Sequence, residues 1–192
     1  MRKVSIAFLM IFIFGFLCAC STPPKEEMEK ANNAVTRAEN DADAVTYASS
    51  ILVRARDALT RMQNEADAKR YDAAKSFAAE AVMQAERAIV EGKAGAARAK
   101  DEAENLVNSL SGPITETGNA LDAAWKTEKL RLDFAALTAD MEAARRTYDT
   151  ARQSLQANRY RDAISQGQTV RSTLAGINAA LTEKVQEVAR KQ

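Results

Sequence analysis

The chain has 192 residues, a formal net charge of +1, 39 Ala, seven Gly, three Pro, two Cys and no His. Few Gly and Pro beside abundant Ala, Glu, Lys, Arg and Leu is a helical composition, and aromatics at 6% are too sparse for an ordinary β-sandwich. Without His, the Ser-His-Asp and Cys-His arrangements and His-ligated zinc are excluded.

Residues 1–20 read MRKVSIAFLMIFIFGFLCAC. Arg2 and Lys3 form a positive start, and Val4 to Leu17 is an apolar run broken only by Ser5 and Gly15. That pattern describes a secretory signal. The run is shorter than the roughly 20 residues a spanning helix needs. Ser21-Thr22-Pro23-Pro24 follows it where a stop-transfer anchor would carry basic residues. An uncleaved anchor is the alternative reading.

Leu17-Cys18-Ala19-Cys20 resembles the lipobox of bacterial lipoproteins. The resemblance implies a signal peptide over 1–19, cleavage between Ala19 and Cys20, diacylglycerol on the Cys20 thiol, and acylation of the new amine. Cys18 departs from the Ala, Ser or Thr commoner at its position. The mature chain would hold no free thiol. By analogy with Gram-negative sorting, Ser21 implies the periplasmic face of the outer membrane. Without Arg2 and Lys3 the 27 basic residues become 25 against 26 acidic, a net charge of −1. That balance argues against nucleic acid and against a polybasic membrane contact, so attachment rests on the lipid. Residues 20–28 are expected to form a lipidated, flexible tether.

From Ala31 a 3-4 seam runs through Ala34, Ala38, Asp41, Val45, Ala48, Leu52, Ala55, Leu59, Met62 and Ala66, with Asp41 the polar exception. Such a seam places one apolar stripe on one helix face. A second seam starts at Tyr71 and runs to Leu110. The five-residue step from Ala66 to Tyr71 fits neither 3 nor 4, so a break is expected near Asp67–Lys69. Asp67 is a candidate cap for the second helix. Ser111-Gly112-Pro113 opens the turn-rich stretch 111–119, which reads as a linker. Further seams run from Ala120 to Leu155 and from Tyr160 to Val188, with a break at Ala157-Asn158. Asn there tolerates the left-handed conformation.

A shift of 89 residues superimposes the two halves. Ala55, Leu59, Met62, Tyr71, Ala74 and Ala78 fall on Ala144, Tyr148, Ala151, Tyr160, Ala163 and Gly167 (144 − 55 = 89). Each half is therefore expected to be a long helical hairpin, 29–110 and 120–192. The fold expected is all-α, two hairpins packed as an antiparallel four-helix, coiled-coil-like bundle.

Residues 31–103 resemble the domain-of-unknown-function family 4398 of Ala-rich helical envelope lipoproteins. The likeness is carried by Ala55, Leu59 and Met62, a short break, then Tyr71, Ala74, Ala78 and Ala81. It implies a periplasmic helical domain and names no activity. Arg159-Tyr160-Arg161-Asp162-Ala163 is similar to a tetratricopeptide turn and second-helix start, but the repeat period of about 34 residues is missing.

Tyr71 and Tyr160 are read as rim residues closing hairpin ends, or as partner contacts. Trp125, the single Trp, packs at the start of the third helix or anchors a partner. Asp41 is a candidate register residue. Gly92 and Gly95 imply close packing, a bend or a hinge. Glu26-Glu27 and Asp101-Glu102 are acidic pairs, the residue type of glycoside hydrolysis, but on polar faces with no sugar platform. No phosphate loop, metal cluster or nucleophile motif is present, so neither a cofactor nor a small-molecule substrate is expected. The sequence thus implies a lipid-anchored, non-enzymatic spacer, scaffold or adaptor of the bacterial envelope. A protein-binding module with a tetratricopeptide-like surface is the alternative. Phe77, Val82 and Ile89 discriminate: buried by the third and fourth helices, they make the bundle self-contained; exposed as one patch, they imply a partner or self-association.

Overall fold

A computed structural model describes residues 22–127 and 131–190. Cys20, Ala19 and the whole expected signal peptide lie outside the described residues. The described chain is all-α and bundle-like: α1 Lys25–Glu39, α2 Ala42–Tyr47, α3 Ser49–Asp67, α4 Tyr71–Ser109, α5 Ser111–Trp125, α6 Phe134–Gln156 and α7 Tyr160–Arg190. It divides at Lys93/Ala94 into two compact units. The first part of α4 belongs to the first unit and the rest to the second.

In the first unit the expected tether is shortened, because helix begins at Lys25. Pro24 is its N-cap and is buried, and its carbonyl accepts the Met28 N–H at 3.0 Å. Glu26 and Glu27 sit in the first turn, where negative charge suits the helix dipole. Buried Ala31, Ala34, Val35 and Ala38 form the inner stripe.

The uninterrupted helix expected from residue 29 to Ala66 is instead three helices, and Asp41 is the reason. A carboxylate in an apolar stripe cannot be buried unpaired. Asp41 leaves the helix with φ −84° and ψ 112°, and its side chain accepts the Ala44 N–H at 2.8 Å. It is an N-cap, which replaces the register role. The chain reverses there. Glu27 pairs with Lys75 at 3.8 Å and Arg37 with Glu86 at 3.9 Å, so α1 and α4 rise in parallel. Arg61 lies over the Phe77 ring and Ala44 against Gly92, so α2 and α3 descend along α4. The core joins α1, α2 and α3 to Ala78, Ala81, Ala85 and Ala88 of α4, with Met62 and Leu52 as its larger members.

The break at Asp67–Lys69 is present. Lys69 has φ 59°, the Lys69 N–H donates to the Ala66 carbonyl at 2.9 Å, and the Arg70 N–H donates to the Glu65 carbonyl at 2.8 Å. This is a Schellman ending without its usual Gly. Asp67 accepts the Gln63 amide rather than a bond from α4.

In the second unit, the expected linker 111–119 is helical. Pro113 falls in the first turn of α5, where its missing N–H would lack a partner anyway. Thr117 and Gly118 are buried. A Cβ on Gly118 would meet only the Arg145 Nη2 end of a flexible side chain, at 2.9 Å, and Met141 Cε at 3.8 Å. The interruption lies between Trp125 and Phe134 instead. Asp133 caps α6 by accepting the Ala136 N–H at 3.0 Å. Gly167 faces Leu106 and Leu110, and Asn178 donates to Thr117 Oγ1 at 2.9 Å, which sets α7 parallel to the chain running through α5. The main core holds Ile114, Leu121, Met141, Val170, Leu174 and Ile177.

The two units repeat one plan. Asp67 and Gln156 end α3 and α6, Lys69 and Asn158 take φ 59° and 58°, and Tyr71 and Tyr160 open α4 and α7, each pair 89 apart (156 − 67 = 89). The same turn bonds recur, from Asn158 to Leu155 and from Arg159 to Ser154. Buried Ala81, Ala85 and Ala88 match buried Val170, Leu174 and Ile177. The first helix also repeats, at 86 (111 − 25 = 86): Ala31, Val35 and Ala38 match Thr117, Leu121 and Ala124, all buried. Helix pairs α3–α4 and α6–α7 meet at the two expected breaks, while the seams alone did not separate α1 and α2 from α3, nor α5 from α6.

Candidate interaction surfaces

Burial sorts the expected contact residues. Trp125 is 66% exposed at the end of α5, with its ring edge-on to Phe134 at 5.1 Å and 72°. Its ring partner is therefore Phe134, at the start of the next helix. α5 and α7 leave an open apolar groove of about 640 Å³, lined by Ala120, Ala123, Ala124, Thr127, Leu181 and Val185 but not by Trp125. Val185 is 54% exposed. The Asn178 amide also lines this groove while donating to buried Thr117.

Tyr160 is half-buried at the other end of α7. Its hydroxyl donates to Asn158 Oδ1 at 2.8 Å, and its ring packs on the small cluster of Ala103, Val107, Ala151 and Ala163. It closes the turn, as a rim residue does. Leu181 is 21 residues further along (181 − 160), about 31 Å of helix. The structure therefore does not bring Tyr160 and Trp125 together. Tyr71 opens α4 in the first unit and is half-buried.

Phe77, Val82 and Ile89 are partly buried against the first unit's own core, so they do not form one exposed patch. Val53, Met83 and Val90, which the seams did not flag, are exposed there instead, and so is Val45, which the first seam places on the buried stripe. Sequence spacing could have found Met83 and Val90, which share a face seven residues apart (90 − 83) off the second seam. The groove between α1 and α4 is mixed in character. Ala79, Val82 and Met83 line it together with Glu27, Lys30, Lys75 and Glu86.

At the α3–α4 turn, Arg70 donates through Nε and Nη2 to the Glu65 carboxylate, with Nη2 at 2.9 Å. That hydrogen bonding holds the Glu65 carboxyl below its usual range and raises Arg70. Near the end of α7, Lys184 is raised by its hydrogen bond to Glu187 at 2.7 Å. Of the acidic pairs, Glu27 is tied to Lys75. Among the described residues no group of His, Cys, Asp and Glu is arranged to hold a metal ion, and no helix is long and apolar enough to cross a membrane. Gly92 and Gly95 lie within continuous helix in α4, and Gly92 is a close-approach residue: a Cβ there would lie 2.5 Å from the Ala44 nitrogen.

No curated protein matches this chain. No solved structure matches it. Residues 26–106 match the family model of a domain of unknown function (DUF4398), a segment that starts in the first turn of α1 and ends three residues before the end of α4 (109 − 106). Over that segment the chain resembles the DUF4398 family.

Proposed function

We propose that the protein is a non-enzymatic helical spacer or adaptor, held to a membrane of the bacterial envelope by lipid on Cys20. The supporting observation is Leu17-Cys18-Ala19-Cys20 standing only four residues before Pro24, the buried cap of the first helix (24 − 20). Cleavage at Ala19 would leave the lipid attached almost directly to a folded unit. Two chains of acyl anchor suffice for stable attachment, which fits a net charge too small to hold the protein by electrostatics. Fractionating cells that carry the wild-type chain and Cys20→Ser tests this. The wild type should sediment with membranes and take up labelled fatty acid. Cys20→Ser should do neither. Equal membrane association of the two would overturn the reading.

A second reading is favoured by one observation, the 66% exposure of Trp125 at the end of α5. Aromatic side chains are over-represented among interface anchors. On this reading the second unit recruits a protein partner. Cross-linking in intact cells followed by mass spectrometry should capture one recurrent envelope protein, and Trp125→Ala should lose it. Self-links alone would favour the spacer.

A further inference from the structure

We propose that the first unit stands with its α3–α4 turn, residues 67–71, against the bilayer surface and its α2 end away from it. The inference rests on the Cys20 anchor proposed above and deepens it by naming the face that meets the lipid. Three observations carry it. The first is reach. Pro24 is buried and its carbonyl is bonded to Met28, so the chain is fixed to the unit from that point. Four residues from Cys20 to Pro24 extend at most about 14 Å. The start of α1 therefore cannot move further than that from the lipidated sulfur's backbone.

The second is direction. Glu27, two residues into α1, reaches Lys75, one turn into α4, at 3.8 Å. Both helices start at the same end of the unit, and the turn at Lys69 joins α3 to α4 at that end. The opposite end is marked by Ala44 against Gly92, 21 residues along α4 from Tyr71 (92 − 71) and about 31 Å away. A tether of this length can hold one end at the surface without reaching the other.

The third is charge. At the near end Arg70 is tied to Glu65 and Lys75 to Glu27. The start of α1, the turn and the start of α4 also carry Lys25 and Lys69 against Glu26, Asp67 and Asp72. The face is close to neutral, so the tether and not lipid charge sets the orientation. Tyr71 supplies the aromatic, half-polar side chain that suits a membrane–water interface.

The full lipidated protein, purified from membranes and reconstituted in phosphatidylethanolamine–phosphatidylglycerol vesicles, provides the test. With Cys18 removed and Cys20 modified, single thiols can be introduced cleanly at exposed Ala68 (Ala68→Cys) and at exposed Ala42 (Ala42→Cys). Each is labelled with a fluorophore and read against a spin-labelled lipid headgroup. Quenching at residue 68 should exceed that at residue 42 by about threefold or more, given the 31 Å between the ends, and should not change with phosphatidylglycerol content. Equal quenching would mean the unit lies flat, and stronger quenching at residue 42 would mean it is inverted; either overturns the orientation while the anchor stands. Protein that fails to float with the vesicles and carries no lipid on Cys20 overturns the anchor and the orientation together.

Discussion

Gly92 and Gly176 are both helical glycines, and the same change to Ala should move stability in opposite directions. Ala is favoured over Gly in a helix interior by about 1 kcal/mol. At Gly176 a Cβ meets nothing within 4 Å, so Gly176→Ala should stabilise by about that amount. At Gly92 the new Cβ would lie 2.5, 2.6 and 2.7 Å from the Ala44 nitrogen, the Ala44 Cα and the Asp43 carbonyl carbon. All three are backbone atoms, which no rotamer change can move. Relief requires α2 to shift away from α4 by about 1 Å, which opens the packing around buried Ala44 and Ala48 and disturbs the Asp41 cap. Overpacking of this kind costs about 1–3 kcal/mol, and loss of a cap about 0.5–2 kcal/mol. Against a propensity gain of about 1 kcal/mol, the net effect at Gly92 is destabilisation by about 0.5–4 kcal/mol. Thermal unfolding followed by circular dichroism should show Gly92→Ala lowering the first unit's Tm by several degrees, at about 4–8 °C per kcal/mol for domains of this size. Gly176→Ala should raise that of the second. If Gly92→Ala stabilises as Gly176→Ala does, the close packing of α2 on α4 is refuted.

Lys69 holds φ 59°, where a Cβ is strained, so Lys69→Gly should stabilise by about 1 kcal/mol in the same assay. Asn158→Gly should gain less, because Asn tolerates this region and accepts the Tyr160 hydroxyl. Ser154 is fully buried and its hydroxyl has no partner among the described residues. Ser154→Ala should therefore be neutral or stabilise by about 1 kcal/mol, read by urea denaturation. Glu65 has its pKa lowered in the fold by Arg70. Its contribution is present above the unfolded value near 4.5 and lost as pH falls through the lower folded value. Both groups are solvent-exposed, so the contribution is small and salt-screened. Arg70→Gln should flatten the acid limb of a stability–pH curve at low ionic strength and leave neutral pH nearly unchanged.

The helical class, the two turns and the duplication were legible because each left a mark in seam spacing. The five-residue step before Tyr71 and the Asn at 158 are direct signatures of helix ends. The fold-back of α1 was not legible. Ala38, Asp41 and Val45 keep the 3-4 spacing straight through the reversal, and an acidic seam residue reads equally as a register device or a cap. Only the packing of Ala44 on Gly92 decides between them. Ser111-Gly112-Pro113 misled for the opposite reason. Turn-type residues fit the first turn of a helix as well as a loop, and Thr117 and Gly118 are buried by α6 and α7 rather than exposed in a linker. Trp125 was recognised as a candidate contact, but its exposure follows from where α5 stops, which the seam through Ala123 and Thr127 concealed. Cys20 was legible as a motif alone.

The account turns on Cys20. The most direct measurement is the intact mass of the protein extracted from membranes by detergent. It should lack residues 1–19 and carry diacylglycerol, with a further acyl chain on the amine, and digestion should place the added mass on Cys20. A mass that retains residues 1–19, or an unmodified Cys20, would contradict the lipid-anchored reading.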